Sequence, residues 1–220
     1  MAKFFIPILA FLIALWIYVV VQEQDNVKSK DNENVLLKKV EDYTNLRDSI
    51  KKLPAYSDFF ETSYNRISFM VPLYLDTTTK LSESAVLQYK NYQKEFYLEL
   101  YQYVYDEYSR YQSVESYFNA TLDVIRGIVI NFQVVDSSFT KINKCLVYSV
   151  NITGILSNGN DSVTLWYKVL VTQMDNFFYD LTVWTTIENF DKNEEDLNKI
   201  ISSVFYKPDI DAIRNKLQNQ

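Results

Sequence analysis

The chain has 220 residues, with 22 basic against 28 acidic side chains, a net charge of −6 and no histidine. An acidic balance without a basic block argues against nucleic acid as a partner, and the missing imidazole removes the commonest general base and transition-metal ligand. A single cysteine rules out an intrachain disulfide and a thiolate zinc site, and three scattered glycines build no phosphate-cradling loop, so no cofactor or metal is expected.

Residues 1–3 are read as a cytoplasmic N-terminus. Phe4–Val21 (FFIPILAFLIALWIYVVV) carries no charge. At ~1.5 Å per residue it spans about 27 Å, close to a hydrocarbon core of ~30 Å. Trp16 and Tyr18 suit the interfacial belt. Lys3 precedes the stretch, and Glu23 and Asp25 follow it. That asymmetry predicts a single-pass signal anchor with the bulk of the chain extracytoplasmic, periplasmic or extracellular. The competing reading is a cleaved signal peptide, but the stretch ends without a small-x-small cleavage site. Residues 22–55 form a tether and a helix. The tether is polar (QEQDNVKSKDNEN), and Val40, Tyr43, Ile50 and Leu53 then make a loose helical stripe ended by Pro54.

An α+β domain is expected over 56–207. Strand character in Asp58–Glu61 and in Arg66–Val71, joined by Thr62–Asn65, predicts a hairpin ended by Pro72. Ser82, ahead of Glu83 and Ser84, predicts a capped helical turn. Glu95–Tyr105 reads as a long strand with Phe96, Leu98 and Leu100 on one face and Tyr97, Tyr101, Tyr103 and Tyr105 on the other. Ser113 opens a helix with Val114, Tyr117, Phe118, Leu122 and Ile125 inward and Gly127 as its stop. Strands are expected at Ile128–Val135 and Lys144–Thr153, followed by a turn at Ser157–Asn160.

From Val163 to Phe205 the pattern is strand, turn, strand, helix. Val163, Leu165, Tyr167, Val169 and Val171 alternate, and Phe177, Tyr179, Leu181 and Val183 resume the alternation after Gln173–Asn176. Leu197, Ile200, Ile201, Val204 and Phe205 then share one helical stripe, with Asp191 or Asn193 as its cap and Pro208 as its stop. Residues 208–220 are read as a tail.

Ile67–Pro72, Leu87–Tyr89 with Glu95–Leu98, Trp166–Lys168, Val183–Thr185 and Ile200–Phe205 resemble the strands and closing helix of the PsbP-like superfamily. That superfamily includes the extrinsic PsbP protein of the oxygen-evolving complex, a Ran-binding import factor and DcrB-type envelope proteins, and the resemblance is strongest to uncharacterised bacterial members. It covers roughly Tyr56 to Lys207 and rests on packing motifs. The resemblance implies an antiparallel sheet packed with helices and a binding or assembly role on a protein partner. The chain departs from PsbP itself in lacking histidine.

The tyrosines Tyr92, Tyr97, Tyr101, Tyr103, Tyr105, Tyr108 and Tyr111 are the most unusual feature. Such rings offer apolar area with a polar tip, suited to a partner surface centred on Tyr97, Tyr101, Tyr103 and Tyr105; they also suit strands for packing reasons alone. A small-ligand or sugar site is the alternative. A carboxylate-based hydrolase is the third reading, resting on Asp106-Glu107 or Glu194-Glu195-Asp196, which a strand end and a helix start also explain. Cys145 reads as a buried, inert thiol, since no histidine exists to activate it. Asn119, Asn151 and Asn160 head glycosylation sequons.

Overall fold

A computed structural model of the chain describes residues 33–106, 110–158 and 161–218. The expected anchor at Phe4–Val21 lies outside them. Among the described residues no helix is long and apolar enough to cross a membrane. The chain divides into two units, Asn45–Pro208 and a second made of Met1–Thr44 with Asp209–Gln220. Residues 33–51 are helical (α1), with Tyr43 and Ile50 of the expected stripe buried. In the second unit Ile210–Gln218 is also helical, where the sequence suggested only a tail. Asp209 caps it, its Oδ1 accepting from the Ala212 amide at 2.9 Å.

The larger unit holds two antiparallel sheets. The smaller consists of β1 (Phe59–Tyr64), β2 (Ile67–Pro72) and β10 (Phe205–Tyr206), with β2 central. The β1–β2 pairing runs up to Tyr64 opposite Ile67, so the connection is the two residues Asn65-Arg66 rather than Thr62–Asn65. Asn65 takes the positive φ of 48° that such a tight turn needs.

The larger sheet has the order β3-β4-β5-β9-β8-β7-β6. Its strands are β3 (Asp76–Thr77), β4 (Leu87–Asn91), β5 (Phe96–Val104), β6 (Ile130–Ile142), β7 (Cys145–Asn158), β8 (Asp161–Met174) and β9 (Phe177–Thr186). The last four form a meander, and β5 closes onto β9 with Leu100 opposite Leu181. Helix α2 (Val114–Ile128) covers one face. Helix α3 (Phe190–Ser202) and β2 cover the other, where Ile67, Phe69, Leu98, Leu181, Leu197 and Ile200 make a common core.

Four local expectations give way to tertiary contacts. No helical turn forms at Ser82: the Leu81 and Ser82 amides donate to Gln88 Oε1 at 2.8 and 3.2 Å, holding this segment as a loop. Gly127 does not stop α2, which runs on to Ile128 and is capped by Val129. Helix α3 starts at Asn189 rather than at Asp191 or Asn193. Asn193 is instead buried, its Nδ2 donating to Lys94 O at 3.1 Å and to Thr185 Oγ1 at 2.8 Å, which ties the helix to the β4–β5 turn and the end of β9. The helix also ends earlier than its stripe. Ser203 Oγ donates to Ile200 O at 2.7 Å and accepts the Met70 amide at 2.8 Å, so Val204 and Phe205 leave the helix and Phe205 joins β10.

Where α2 hands over to β6, the chain crosses β7 closely. A Cβ on Gly154 would meet Val129 Cγ2 at 2.6 Å and its Cβ at 2.8 Å. Gly154→Ala is therefore expected to lose ~1–3 kcal/mol of unfolding free energy through overpacking. Urea denaturation checks this, and adding Val129→Ala to the same chain should recover part of the loss.

Candidate functional site

The tyrosine row stands on the α2 face of the large sheet. Across β5 and β9, Tyr97 is opposite Trp184, Glu99 opposite Thr182, Tyr101 opposite Asp180 and Tyr103 opposite Phe178. Strand alternation puts these on one face, with Tyr167, Val169 and Val171 of β8 continuing the rows. Most of the rings are engaged within the chain. Tyr97 stacks on Trp184 at 5.3 Å, Tyr103 meets Tyr111 at 5.1 Å and Tyr117 at 6.1 Å, and Tyr105 meets Phe178 edge-on at 5.2 Å. All four tyrosines expected at the partner surface are half-buried. Tyr92, outside the row, is 63% exposed. Trp166 lies on the opposite face, stacked on Phe190 at 4.0 Å.

Beneath α2 lies a pair of acids that sequence reasoning passed over, Glu99 and Asp180, each only 7% exposed. Tyr101 donates its hydroxyl to Glu99 Oε2 at 2.9 Å, while Glu99 Oε1 is buried with no hydrogen-bond partner among the described residues. Thr182 Oγ1 donates to Asp180 Oδ1 at 2.8 Å, and the Thr121 hydroxyl of α2 also bonds that carboxyl. Burial pushes the Asp180 carboxyl up to about 6, with the two threonines pulling down and the Glu99 charge adding to the rise. Burial likewise raises Glu99 above its usual range, against the Tyr101 bond. The pair can hold a proton near neutral pH, but it is closed off from solvent. Its signal in the sequence is an acid at a strand position flanked by apolar residues on both sides, Leu98-Glu99-Leu100 and Tyr179-Asp180-Leu181.

Strand β6 is the outermost strand of the large sheet, and nearly all its side chains are exposed. Irregularities between Ile130 and Gln133 and between Val134 and Asp136 break its early register, leaving Asp136–Ile142 as the regular run. Phe139 is 56% exposed and meets the Tyr148 ring at 4.5 Å, tilted by 31°; Val134, Val135 and, on β7, Leu146 are comparably open. The register places Val134, Ser137, Phe139 and Lys141 on the α2 side. Among the described residues no strand pairs with the outer edge of β6, so its outward N–H and C=O groups form an unfilled ladder. The strand expected at Ile128–Val135 is the first part of β6, which runs on to Ile142; the sequence hid that continuation, because Asp136-Ser137-Ser138 breaks the alternation.

The remaining sequence candidates lie apart. Asp196 accepts the Tyr74 hydroxyl at 2.7 Å, and Glu195 pairs with Lys199 one turn on. Cys145 is buried on the α3 side, and burial raises its thiol. Glu107, Tyr108, Gly159 and Asn160 lie outside the described residues. Among the described residues no cluster of three or more potential metal ligands occurs.

No protein-family model and no curated protein matches the chain. Solved structures do. LpqN of Mycobacterium tuberculosis, involved in cell envelope biogenesis, matches at 12% identity over 74% of this chain and 96% of that one, with a TM-score of 0.46. The Saccharomyces cerevisiae Ran-binding protein Mog1p matches at 6% identity over 67% and 95%, with a TM-score of 0.43. Cyanobacterial PsbP from Synechocystis sp. PCC 6803 matches at 8% identity over 69% of this chain and 94% of its own, with a TM-score of 0.50. At such identities the likeness is one of architecture, and the chain has the PsbP-like fold.

Proposed function

We propose that the chain is a membrane-tethered, non-catalytic binding domain that captures an extended segment of a partner protein by adding it as a strand to β6. The observation that carries this reading is the open edge of β6 over Asp136–Ile142, with its unfilled backbone ladder and the exposed ring of Phe139. Only another strand can pair such an edge, and strand addition takes affinity from main-chain bonds and selectivity from alternate side chains. The segment it fits carries an apolar side chain beside Phe139 and an acidic one beside Lys141, both on the α2 side. The tyrosines Tyr97, Tyr101, Tyr103 and Tyr105 belong to this reading as the packed floor under α2, with the contact itself at the sheet edge. Phe4–Val21 is the single-pass anchor in this reading, with the N-terminus cytoplasmic and the α+β unit in the periplasm or outside the cell. Confinement at the membrane surface raises the local concentration of the domain for partners held there.

The experiment places a photocrosslinking amino acid at Phe139, and separately at Asp76 on the opposite edge of the same sheet, in the full chain. Carbonate-washed membranes of the expressing cells are then irradiated. The expected result is a discrete adduct from position 139, absent from position 76 and lost when Lys141→Glu is added. Equal adducts from both edges overturn the docking site, and loss of the chain into the wash overturns the anchor.

A further inference from the structure

The geometry points to a site for a small organic ammonium ion with an apolar body, between the Thr121 flank of α2 and strand β5. It goes beyond the partner reading and uses none of the β6 edge. Helix α2 rests on β6–β9, with β5 beyond its flank. On one side of the helix Phe118 stacks on Tyr148 of β7 at 5.1 Å; on the other, Thr121 bonds the Asp180 carboxyl of β9. Val124 and Ile128 follow Thr121 at i+3 and i+7, so they share its flank, and they are 62% and 58% exposed. The sheet beside that flank carries Tyr97, Trp184 and Tyr167 in one row across β5, β9 and β8. Two open apolar side chains thus border an aromatic floor.

The group that calls for a ligand is Glu99, next to Tyr97 on that face. Its Oε2 accepts the Tyr101 hydroxyl at 2.9 Å, but its buried Oε1 has no donor among the described residues. Buried acceptors left without a donor are rare in native structures. Among the described residues no lysine or arginine pairs with Glu99 or with Asp180, its diagonal neighbour on β9. Lys90, on the adjoining strand β4, is engaged elsewhere, its Nζ donating to the Tyr92 hydroxyl at 2.7 Å. Asp180 has its own donors in Thr182 and Thr121. An ammonium group supplies what Glu99 lacks, an N–H donor and a positive charge together. It also offsets the desolvation that raises the Glu99 carboxyl. The apolar body of the ligand then lies against Val124, Ile128 and the Trp184 ring. Tyr97 and Trp184 are half-buried, and their rings can turn aside to admit it. An anion meets two carboxyls there, and a neutral ligand forgoes the charge-assisted bond.

The test uses the full chain in lipid nanodiscs, with empty nanodiscs as the reference, and follows binding by calorimetry at neutral pH. The probes are cyclohexylmethylamine, cyclohexylmethanol and cyclohexanecarboxylate, which share one apolar body and differ in charge. Saturable binding of the amine is expected, at least about tenfold tighter than the alcohol, with the carboxylate weaker still. Glu99→Gln, which keeps the size and removes the charge, should bring the amine down to the level of the alcohol. Val124→Lys changes an exposed position and sets a cation at the rim; it should weaken the amine and leave the alcohol near its wild-type affinity. Equal binding of amine and alcohol, no saturable binding of the amine, or an unchanged amine affinity in either variant overturns the site. The wild-type comparison stands without any variant. Since Phe139 and Lys141 are untouched, failure here leaves the strand-addition reading intact, and failure there leaves this one.

Discussion

Phe178→Ala is expected to cost ~3–5 kcal/mol of unfolding free energy, the range for emptying a buried aromatic site. Phe178 is fully buried on β9. Its ring lies 5.2 Å from that of Tyr117 at an interplanar angle of 15°, and 5.2 Å from that of Tyr105 at 68°. Tyr117 belongs to α2, so this stack is where the helix meets the middle of the sheet. Truncation removes the shared partner of two rings and leaves a cavity under the helix, which the fixed spacing of the strands cannot close. Urea unfolding measures the loss, and the near-ultraviolet circular dichroism of the tyrosines should fall with it. Phe178→Leu, which keeps most of the volume, should cost well under half as much. A loss below about 1 kcal/mol for the alanine variant, the size of an ordinary surface substitution, would mean that α2 is held elsewhere.

Asp180→Asn should do the opposite at neutral pH and stabilise the domain. Burial pushes the native carboxyl up to about 6 from an ordinary value of 3.8. A group raised in this way stabilises the fold fully below pH ~4, where it is protonated in both states. That stability is lost as the pH rises from about 4 to about 6, because over this window the unfolded carboxyl ionises while the buried one stays protonated. A rise of this size corresponds to roughly 3 kcal/mol. Glu99 is raised in the same direction, so each acid makes the other harder to ionise. Asparagine keeps an acceptor for the Thr182 and Thr121 hydroxyls and removes the buried charge. We expect it to gain about 1–3 kcal/mol at pH 8 and almost nothing at about pH 3. Paired denaturation curves for wild type and variant at the two pH values decide the matter. An equal loss of stability at both would show that the carboxyl acts through its hydrogen bonds alone.

Much of the fold was legible because its signals are local. Phe96, Leu98 and Leu100 alternate in β5, Tyr179, Leu181 and Val183 alternate in β9, and Tyr117, Phe118 and Ile125 line one side of α2; each set is buried as a set. The failures share one cause. Ser82 has the chemistry of a helix start, but Gln88 on β4 takes the nearby amides. Asn193 has the chemistry of a cap, but a buried position opposite Thr185 and Lys94 claims its amide. Glycine at 127 invites a helix end, yet nothing stands within 4 Å of a Cβ there and the helix continues past it. In each case a contact distant in sequence, or the lack of one, outweighs a preference worth about 1 kcal/mol.

The site residues divide in the same way. Tyr97, Tyr101 and Tyr103 share a strand face by simple alternation, which the sequence shows directly. Their burial against Trp184, Tyr111 and Tyr117 depends on β9 and α2 coming to lie beside and above them. Glu99 and Asp180 are separated by much of the chain and meet because β5 inserts next to β9.

The class of the domain, an antiparallel sheet with amphipathic helices, is legible in the residues alone, because period-two and helical patterns are written in neighbouring positions. So is the lack of histidine and of a second cysteine. The assembled fold alone settles that Phe205 joins a second sheet, that two acids lie buried on the α2 face, and that β6 is left at the edge. Strand order and burial depend on which distant segments close upon one another. Edge and centre are properties of the assembled sheet, and a strand's own residues carry no direct mark of either.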